Sequence, residues 1–174
     1  MLLAKITQTT AQLGAIQDYC AVADDEEKIW VAALFTGRRP KRSVNSALLR
    51  AWCMEAANTE PWLFEECYHT VGDLAETISL LIPENKIDLK DEVNFSLSHY
   101  LNALKTIGKE DDELKKKFVT DAWSQMNRSE IFVFNKLMTG GFRIGVSQKM
   151  MVNAIAKTTD VSPSIIAHRL MGDW

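Results

Sequence analysis

A short loop rich in glycine is the stretch of this sequence that is most able to bind a ligand. Gly140, Gly141 and Gly145 flank Arg143, and Ser147 follows where a helical pattern begins. Glycine lets the backbone adopt positive φ and approach another molecule closely. A helix start adds unpaired N–H groups that favour an anion. The loop therefore suits a polyanion, although a glycine-capped connection between two helices explains the same residues equally well.

The helix predicted after this loop carries a polar face without acids. Lys149, Asn153 and Lys157 recur at every fourth position, which places them on one side of a helix. No Asp or Glu occurs from Ile131 to Thr159. Lys149 is therefore predicted to belong to the same binding surface as the glycine loop.

A second cationic loop lies in the first third of the chain. No acid occurs from Gly37 to Met54, and the loop that follows Gly37 contains the cations Arg38, Arg39, Lys41 and Arg42. The net charge of the chain is −3, so no global basicity indicates a nucleic-acid partner. The acids gather in other segments, which indicates that the charges are segregated. The basic loop is predicted to contact a polyanion, with a solvated loop as the alternative.

The two cationic loops occupy corresponding places in an apparent internal repeat. Leu34-Phe35-Thr36-Gly37 matches Leu137-Met138-Thr139-Gly140, and each match is followed by a cationic loop, a serine and a helix pair. The repeated segments span about 26–74 and 130–174, and each closes on Gly-Asp. Two such segments could bind one rod-shaped anion, each holding a stretch of its backbone.

Apolar periodicity predicts an all-α fold of roughly ten to twelve helices. Helix caps are predicted at Asp24, at Ser43 or Ser46, and at Asp73, and residues 83–94 are predicted to be a surface excursion or a short linker. The lysines at 115–117 are predicted to be a solvated helix face. The apolar stripes predicted for three of the helices are Val44, Ala47, Leu48, Ala51 and Trp52; Trp62, Leu63, Cys67 and Val71; and Leu114, Phe118 and Ala122.

Composition excludes several classes of protein. Hydrophobic residues at 47% and charged residues at 25% are ordinary for a globular chain. The apolar runs are too short to span a membrane. Three cysteines without C-x-x-C spacing predict reduced thiols and a cytoplasmic location. Three scattered histidines predict no metal site, and the glycine loop lacks the G-K-[ST] of a nucleotide-binding P-loop.

Several separated motifs resemble one family in the same order. The stretch from Lys136 to Ser147, KLMTGGFRIGVS, resembles the signature of the N-terminal DNA-binding domain of ATP-dependent DNA ligases. TGRRPKR at 36–42, WLFEECY at 62–68, GDLAET at 72–77 and HRLMGDW at 168–174 are similar to a bacterial branch of that family. The resemblance runs from about Leu3 to Trp174.

The resemblance implies one helical domain over residues 1–174, with two pseudo-symmetric halves that hold the minor groove on both sides of a nick. Its nucleotidyltransferase and OB-fold domains, with their ATP and Mg²⁺, would lie outside this chain, since no K-x-D-G stretch occurs in it. This chain alone is therefore expected to contain no catalytic residue, cofactor or metal. The implied setting is a monomer in the bacterial cytoplasm or nucleoid that acts on nicked duplex DNA in repair, replication and recombination. The DNA-binding residues that the resemblance implies are Gly37, Arg38, Arg39, Lys41, Arg42, Gly140, Gly141, Arg143, Gly145 and Ser147. Helical spacing adds Lys149 to this predicted set.

An all-helical protein-interaction module is the alternative from another class. In that case the glycine loops would pack on a protein partner rather than on DNA. Salt dependence separates the two hypotheses, because phosphate neutralisation makes DNA binding steeply salt-dependent, whereas an apolar interface hardly responds.

Overall fold

Ten α-helices form the secondary structure of the residues that the structure describes, and no strand occurs among them. The structure is a computed structural model, and it describes residues 9–37, 42–83, 96–139 and 147–171. The all-α prediction is confirmed. The first five helices are α1 (Thr9–Val22), α2 (Asp25–Phe35), α3 (Ser46–Ala56), α4 (Pro61–Val71) and α5 (Leu74–Leu81). The others are α6 (Leu97–Ile107), α7 (Asp112–Gln125), α8 (Arg128–Thr139), α9 (Gln148–Thr159) and α10 (Pro163–Met171).

Local cap chemistry sets most of the helix starts. Asp24 accepts a hydrogen bond from the N–H of Glu27 at 2.8 Å, and Asp73 accepts one from Glu76 at 3.0 Å. Such caps satisfy N–H groups that have no partner within the helix. The caps predicted at Asp24 and Asp73 are confirmed. The cap predicted at Ser43 or Ser46 is wrong, because Asn45 lies between them and accepts from Leu48 N–H at 2.9 Å.

The helices group into two compact units, and the first consists of Met1–Arg39, Ser96–Ser98 and Arg143–Trp174. In it α1, α2 and α10 each pack on α9. Ile16 of α1, Val31 of α2 and Met151 of α9 form its core together with Cys20 and Ala154. A second cluster joins α9 to α10. The core therefore covers one side of α9 and leaves its polar side to solvent.

A buried carboxylate ties three segments of the first unit together. Glu27 of α2 accepts a hydrogen bond from the hydroxyl of Tyr19 at 2.6 Å and another from the N–H of Ser98 at 2.7 Å. Burial raises the pKa of Glu27, but the hydrogen bonds from Tyr19, Ser98 and Ser96 outweigh it and leave the pKa below its usual value. Glu27 is thus an ionised acceptor for the first turn of α6.

The second unit consists of Pro40–Phe95 and His99–Phe142. In it α5 packs extensively against α8, and α3 packs on both α5 and α7. The ring of Phe134 in α8 meets Tyr100 and Phe118 edge to face, at centroid distances of 5.4 and 6.0 Å. Such aromatic contacts add to the burial of apolar area. The aromatic cluster therefore fixes α8 within this unit.

The apolar stripes predicted for α3 and α4 are confirmed only in part: Val44 and Trp52 are buried as predicted, but other members are not. In α3 the buried residues are Leu49, Trp52 and Cys53, while Ala47 and Ala51 are exposed. Both sets follow helical spacing, and the set with the larger side chains buries more apolar area. In α4 the fully buried residue is Phe64, whereas Trp62 is 67% exposed. Two helical positions separate these residues by about 200°, so they face opposite ways.

Other predicted apolar residues are also exposed. Leu63 is 40% exposed and Leu114 is 48% exposed, and both lie in the first turn of a helix. Further along α7, Val119, Ala122 and Trp123 are buried. The residues predicted to form the excursion at 83–94 lie outside the described residues apart from Pro83. The two repeated segments remain a prediction.

Substitutions in α4 test the observed register. Phe64→Ala is expected to lower the free energy of unfolding by about 3–5 kcal/mol, because it removes a fully buried ring. Trp62→Ala is expected to change it by no more than about 0.5 kcal/mol, because that ring is mostly solvated. Chemical denaturation of both variants measures the difference. Equal losses, or a larger loss for Trp62→Ala, would contradict the observed register.

Glu27→Gln tests the buried carboxylate. Because the folded pKa is lowered, the ionised group stabilises the fold above its unfolded pKa, and this contribution is lost as pH falls through the folded pKa. Glu27→Gln is expected to cost about 1–3 kcal/mol at neutral pH, since it loses a charged acceptor. The difference in the free energy of unfolding between Glu27→Gln and wild type should become smaller as the pH falls below about 4. The control is Glu66→Gln at an exposed position of α4. If this difference in the free energy of unfolding does not change with pH, the charge of Glu27 does not contribute to stability.

Candidate nucleic-acid interface

The first cationic loop begins where α2 ends. Thr36 follows the helix, and its hydroxyl donates to the carbonyl of Ala32 at 2.7 Å. Gly37 then adopts φ +89°, a left-handed conformation that favours glycine. A Cβ at Gly37 would meet no atom within 4 Å, so the backbone angle rather than space accounts for glycine there. Arg42 is exposed. Arg38, Arg39 and Lys41 lie outside the described residues.

The second loop begins in the same way at the end of α8. Thr139 is the last residue of the helix, and its hydroxyl donates to the carbonyl of Asn135 at 2.9 Å. Gly140, Gly141, Arg143 and Gly145 lie outside the described residues. Ser147 caps α9 by accepting from Met150 N–H at 3.2 Å, as Asn45 caps α3 after the first loop. Each loop thus follows a threonine at or just after the end of a helix and leads to a helix with a side-chain cap.

The polar face predicted for α9 is observed. Lys149 and Lys157 are exposed and Asn153 is partly exposed, while Met151 and Ala154 on the other side are fully buried. Neither lysine forms an ion pair with a residue that the structure describes. The charge of this face is therefore not neutralised by a described carboxylate.

Several other cations of the chain are paired. Arg50 of α3 donates to Glu65 of α4 at 2.9 Å, and its guanidinium lies 4.4 Å from the centre of the Tyr68 ring. Lys116 of α7 pairs with Glu55 of α3 at 2.6 Å. Arg50, although it belongs to the first acid-free window, therefore joins two helices. In the predicted solvated face at 115–117, Lys115 also pairs, with Asp112 at 3.5 Å.

A comparison with protein families decides the identity of this fold. Residues 1–156 match the family described as the DNA ligase N terminus. The chain belongs to this DNA ligase N-terminal family. The match includes α1 to α8, both cationic loops and α9 as far as Ala156. It ends before the HRLMGDW stretch at 168–174. A comparison with curated proteins finds no significant match.

Sequence reasoning missed two contacts that the ligase N-terminal fold makes in its second unit. Lys136 of α8 forms an ion pair with Asp73, the cap of α5, 63 residues away in sequence. Gly108, in the turn between α6 and α7, lies against Ser43, because a Cβ there would come within 3.5 Å of the Ser43 Cα. Neither contact leaves a signal in local spacing, since both depend on how helices pack.

The pKa of Asp73 depends both on its ion pair with Lys136 and on its hydrogen bond as the cap of α5. Burial raises the pKa of Asp73, but the hydrogen bonds from Lys136 and from the Glu76 N–H outweigh it and leave the pKa below its usual value. Asp73 is therefore an ionised partner at neutral pH. The interpretation of Asp73 as a structural cap is confirmed, and the ion pair adds a second structural contact.

No group of three or more His, Cys, Asp or Glu side chains within the described ranges could hold a metal ion. The three cysteines are free, and burial raises the pKa of the Cys53 thiol to about 12. None of the helices in those ranges is long and apolar enough to cross a bilayer.

Proposed function

We propose that this chain binds nicked duplex DNA without sequence specificity, through phosphates and the minor groove. In doing so it positions the nick for ATP-dependent ligation by the enzyme to which it belongs. Membership of the DNA ligase N-terminal family supports DNA as the partner. The observation that carries the mode of binding is the exposed, unneutralised face of α9. That face begins directly after the GGFRIG sequence.

Loop residues and the start of α9 are the proposed contacts. Positively charged side chains and helix-start N–H groups bind phosphate oxygens, which fixes a protein on the duplex without reading bases. No described helix presents a row of exposed Asn, Gln and Arg suited to base edges in the major groove. The proposed contact residues are Gly37, Arg38, Arg39, Lys41, Arg42, Gly140, Gly141, Arg143, Gly145, Ser147 and Lys149.

We also propose that the chemistry of ligation belongs to other parts of the enzyme, together with its ATP and Mg²⁺. No K-x-D-G stretch, which would contain the lysine that accepts AMP, occurs in the 174 residues. The implied enzyme would serve repair, replication and recombination as a monomer in the bacterial cytoplasm.

The alternative function as a protein-interaction module has one observation in its favour. Trp62 and Leu63 are both exposed at the start of α4. Aromatic residues are enriched at protein interfaces. A partner bound there would be held by apolar burial, so its affinity would depend little on salt.

Arg143→Ala tests the proposed DNA surface. On nicked duplexes of unrelated sequence, wild-type affinities should agree within about three-fold at fixed salt. Arg143→Ala should weaken all of them by about 1–3 kcal/mol, the usual scale for a hydrogen bond to a charged group. It should also reduce the slope of log affinity against log salt by about 0.9, the value for one phosphate. Fluorescence anisotropy across a salt series measures both, with thermal melts alongside.

Arg128→Ala is the matched control, since Arg128 is an exposed arginine at the other end of α8. It should leave affinity and slope nearly unchanged. If Arg143→Ala binds as wild type does, the loop does not contact DNA. If wild type binds duplexes without salt dependence, or prefers one sequence a thousandfold, the proposed mode of binding is wrong.

Incubation with labelled ATP and Mg²⁺ tests whether this chain accepts AMP itself. The chain is expected to remain unlabelled after denaturation, because it lacks the K-x-D-G lysine. A covalent adenylate that survives denaturing electrophoresis would assign catalysis to this chain.

A further inference from the structure

The position of Lys136 in the sequence suggests a contact with DNA, whereas its contacts in the structure form an ion pair within the chain. It lies in the acid-free stretch from Ile131 to Thr159, four residues before Gly140. On charge alone it would be grouped with the DNA contacts. In the structure its side chain is 19% exposed and its ammonium pairs with Asp73. Its charge is therefore neutralised within the chain.

The Asp73 carboxylate joins two helices with its two oxygens. Its Oδ1 accepts from the Glu76 N–H at 3.0 Å and caps α5, while its Oδ2 accepts from Lys136 in α8. The Lys136 ammonium also lies 5.4 Å from the centre of the Phe132 ring. Because α5 packs along α8, this ion pair fixes the position of α8 along the start of α5.

The neighbouring residue in α8 makes a second polar contact of this kind. Asn135 is fully buried and accepts a hydrogen bond from the indole N–H of Trp123 in α7 at 3.0 Å. A shift of α8 that separated the indole N–H from the Asn135 oxygen would leave both groups buried without this hydrogen bond, which is costly. Two adjacent residues of α8 therefore bind two different helices, one turn before α8 ends at Thr139.

We infer that the Asp73–Lys136 ion pair is a positioning pair for DNA binding: it fixes the end of α8 from which the chain continues toward Arg143, and Lys136 itself does not contact DNA. This inference rests on the proposed function. The opposite hypothesis is that Lys136 contacts phosphate and that Asp73 competes with DNA for it. The two hypotheses predict opposite signs for the removal of the Asp73 charge.

Asp73→Asn is the decisive variant, because the amide oxygen of asparagine can still cap α5, whereas its NH2 group carries no charge and cannot accept from Lys136. If Asp73 positions α8, the variant should bind nicked duplex roughly three- to thirty-fold more weakly, the scale of mutations that modulate coupling. If Asp73 competes with DNA, the variant should bind more tightly. Asp111→Asn is the matched control, since Asp111 caps α7 through the N–H of Leu114. It should leave affinity unchanged.

Lys136→Met and Lys136→Arg give a second measurement that leaves the Asp73 cap intact. Lys136→Met should weaken binding with an unchanged salt slope, whereas loss of a phosphate contact would lower the slope by about 0.9. Lys136→Arg keeps the ion pair and should restore affinity. Anisotropy on nicked duplex across a salt series, well below each melting midpoint, measures all four variants.

The outcomes separate this inference from the proposed function. If wild type does not bind duplex DNA, the proposed function fails and the inference fails with it. If wild type binds, tighter binding by Asp73→Asn or a lower slope for Lys136→Met would overturn the inference alone. Unchanged affinity in both variants would overturn it too, since the pair would then be structural only.

Discussion

A cation on a protein surface can bind DNA strongly only if no carboxylate of the same chain already neutralises it, and this constraint organises the chain. Arg50 pairs with Glu65, Lys116 with Glu55 and Lys136 with Asp73, so these cations join helices of the second unit. Lys149 and Lys157 remain exposed on α9 without a described acidic partner. The absence of acids from 131 to 159 therefore has a structural consequence. It leaves the face of α9 charged, while Lys136 in the same stretch is neutralised by an acid from elsewhere in the chain.

Carboxylates accept hydrogen bonds from N–H groups at the starts of several helices. Asp24 and Asp73 cap their own helices, and Glu27 accepts from Ser98 in the first turn of α6. Each contact satisfies an N–H group that the helix leaves unpaired and each places negative charge at the favourable end of a helix dipole. Acids of this net negative chain thus cap helices and pair with cations, while Lys149 and Lys157 keep the polar face of α9 cationic.

The fold could be predicted from sequence wherever the signal was local. Caps at Asp24 and Asp73 and the start of α9 at Ser147 follow from residues within a few positions of each helix end. Prediction failed where tertiary packing chose between equivalent local patterns. Leu49 was buried instead of Ala47, and Phe64 instead of Trp62, because the larger or better aligned side chain faced the core. The partner of Lys136 could not be found at all, since 63 residues separate it from Asp73. Of the proposed contact residues, Gly37 and Ser147 showed the backbone angle and the cap expected of their residue types.

Hydroxyl-radical footprinting on a duplex with a single defined nick tests the central claim most directly. The reagent attacks deoxyribose from the minor groove, so a protein that lies there protects sugars on both strands. Wild type is expected to protect sugars on both sides of the nick, and Arg143→Ala is expected to protect them less at the same protein concentration. The reactivity of guanine N7 in the major groove is expected to stay unchanged. Absence of sugar protection at concentrations that saturate binding, or protection confined to the major groove, would show that the chain does not bind the minor groove around the nick.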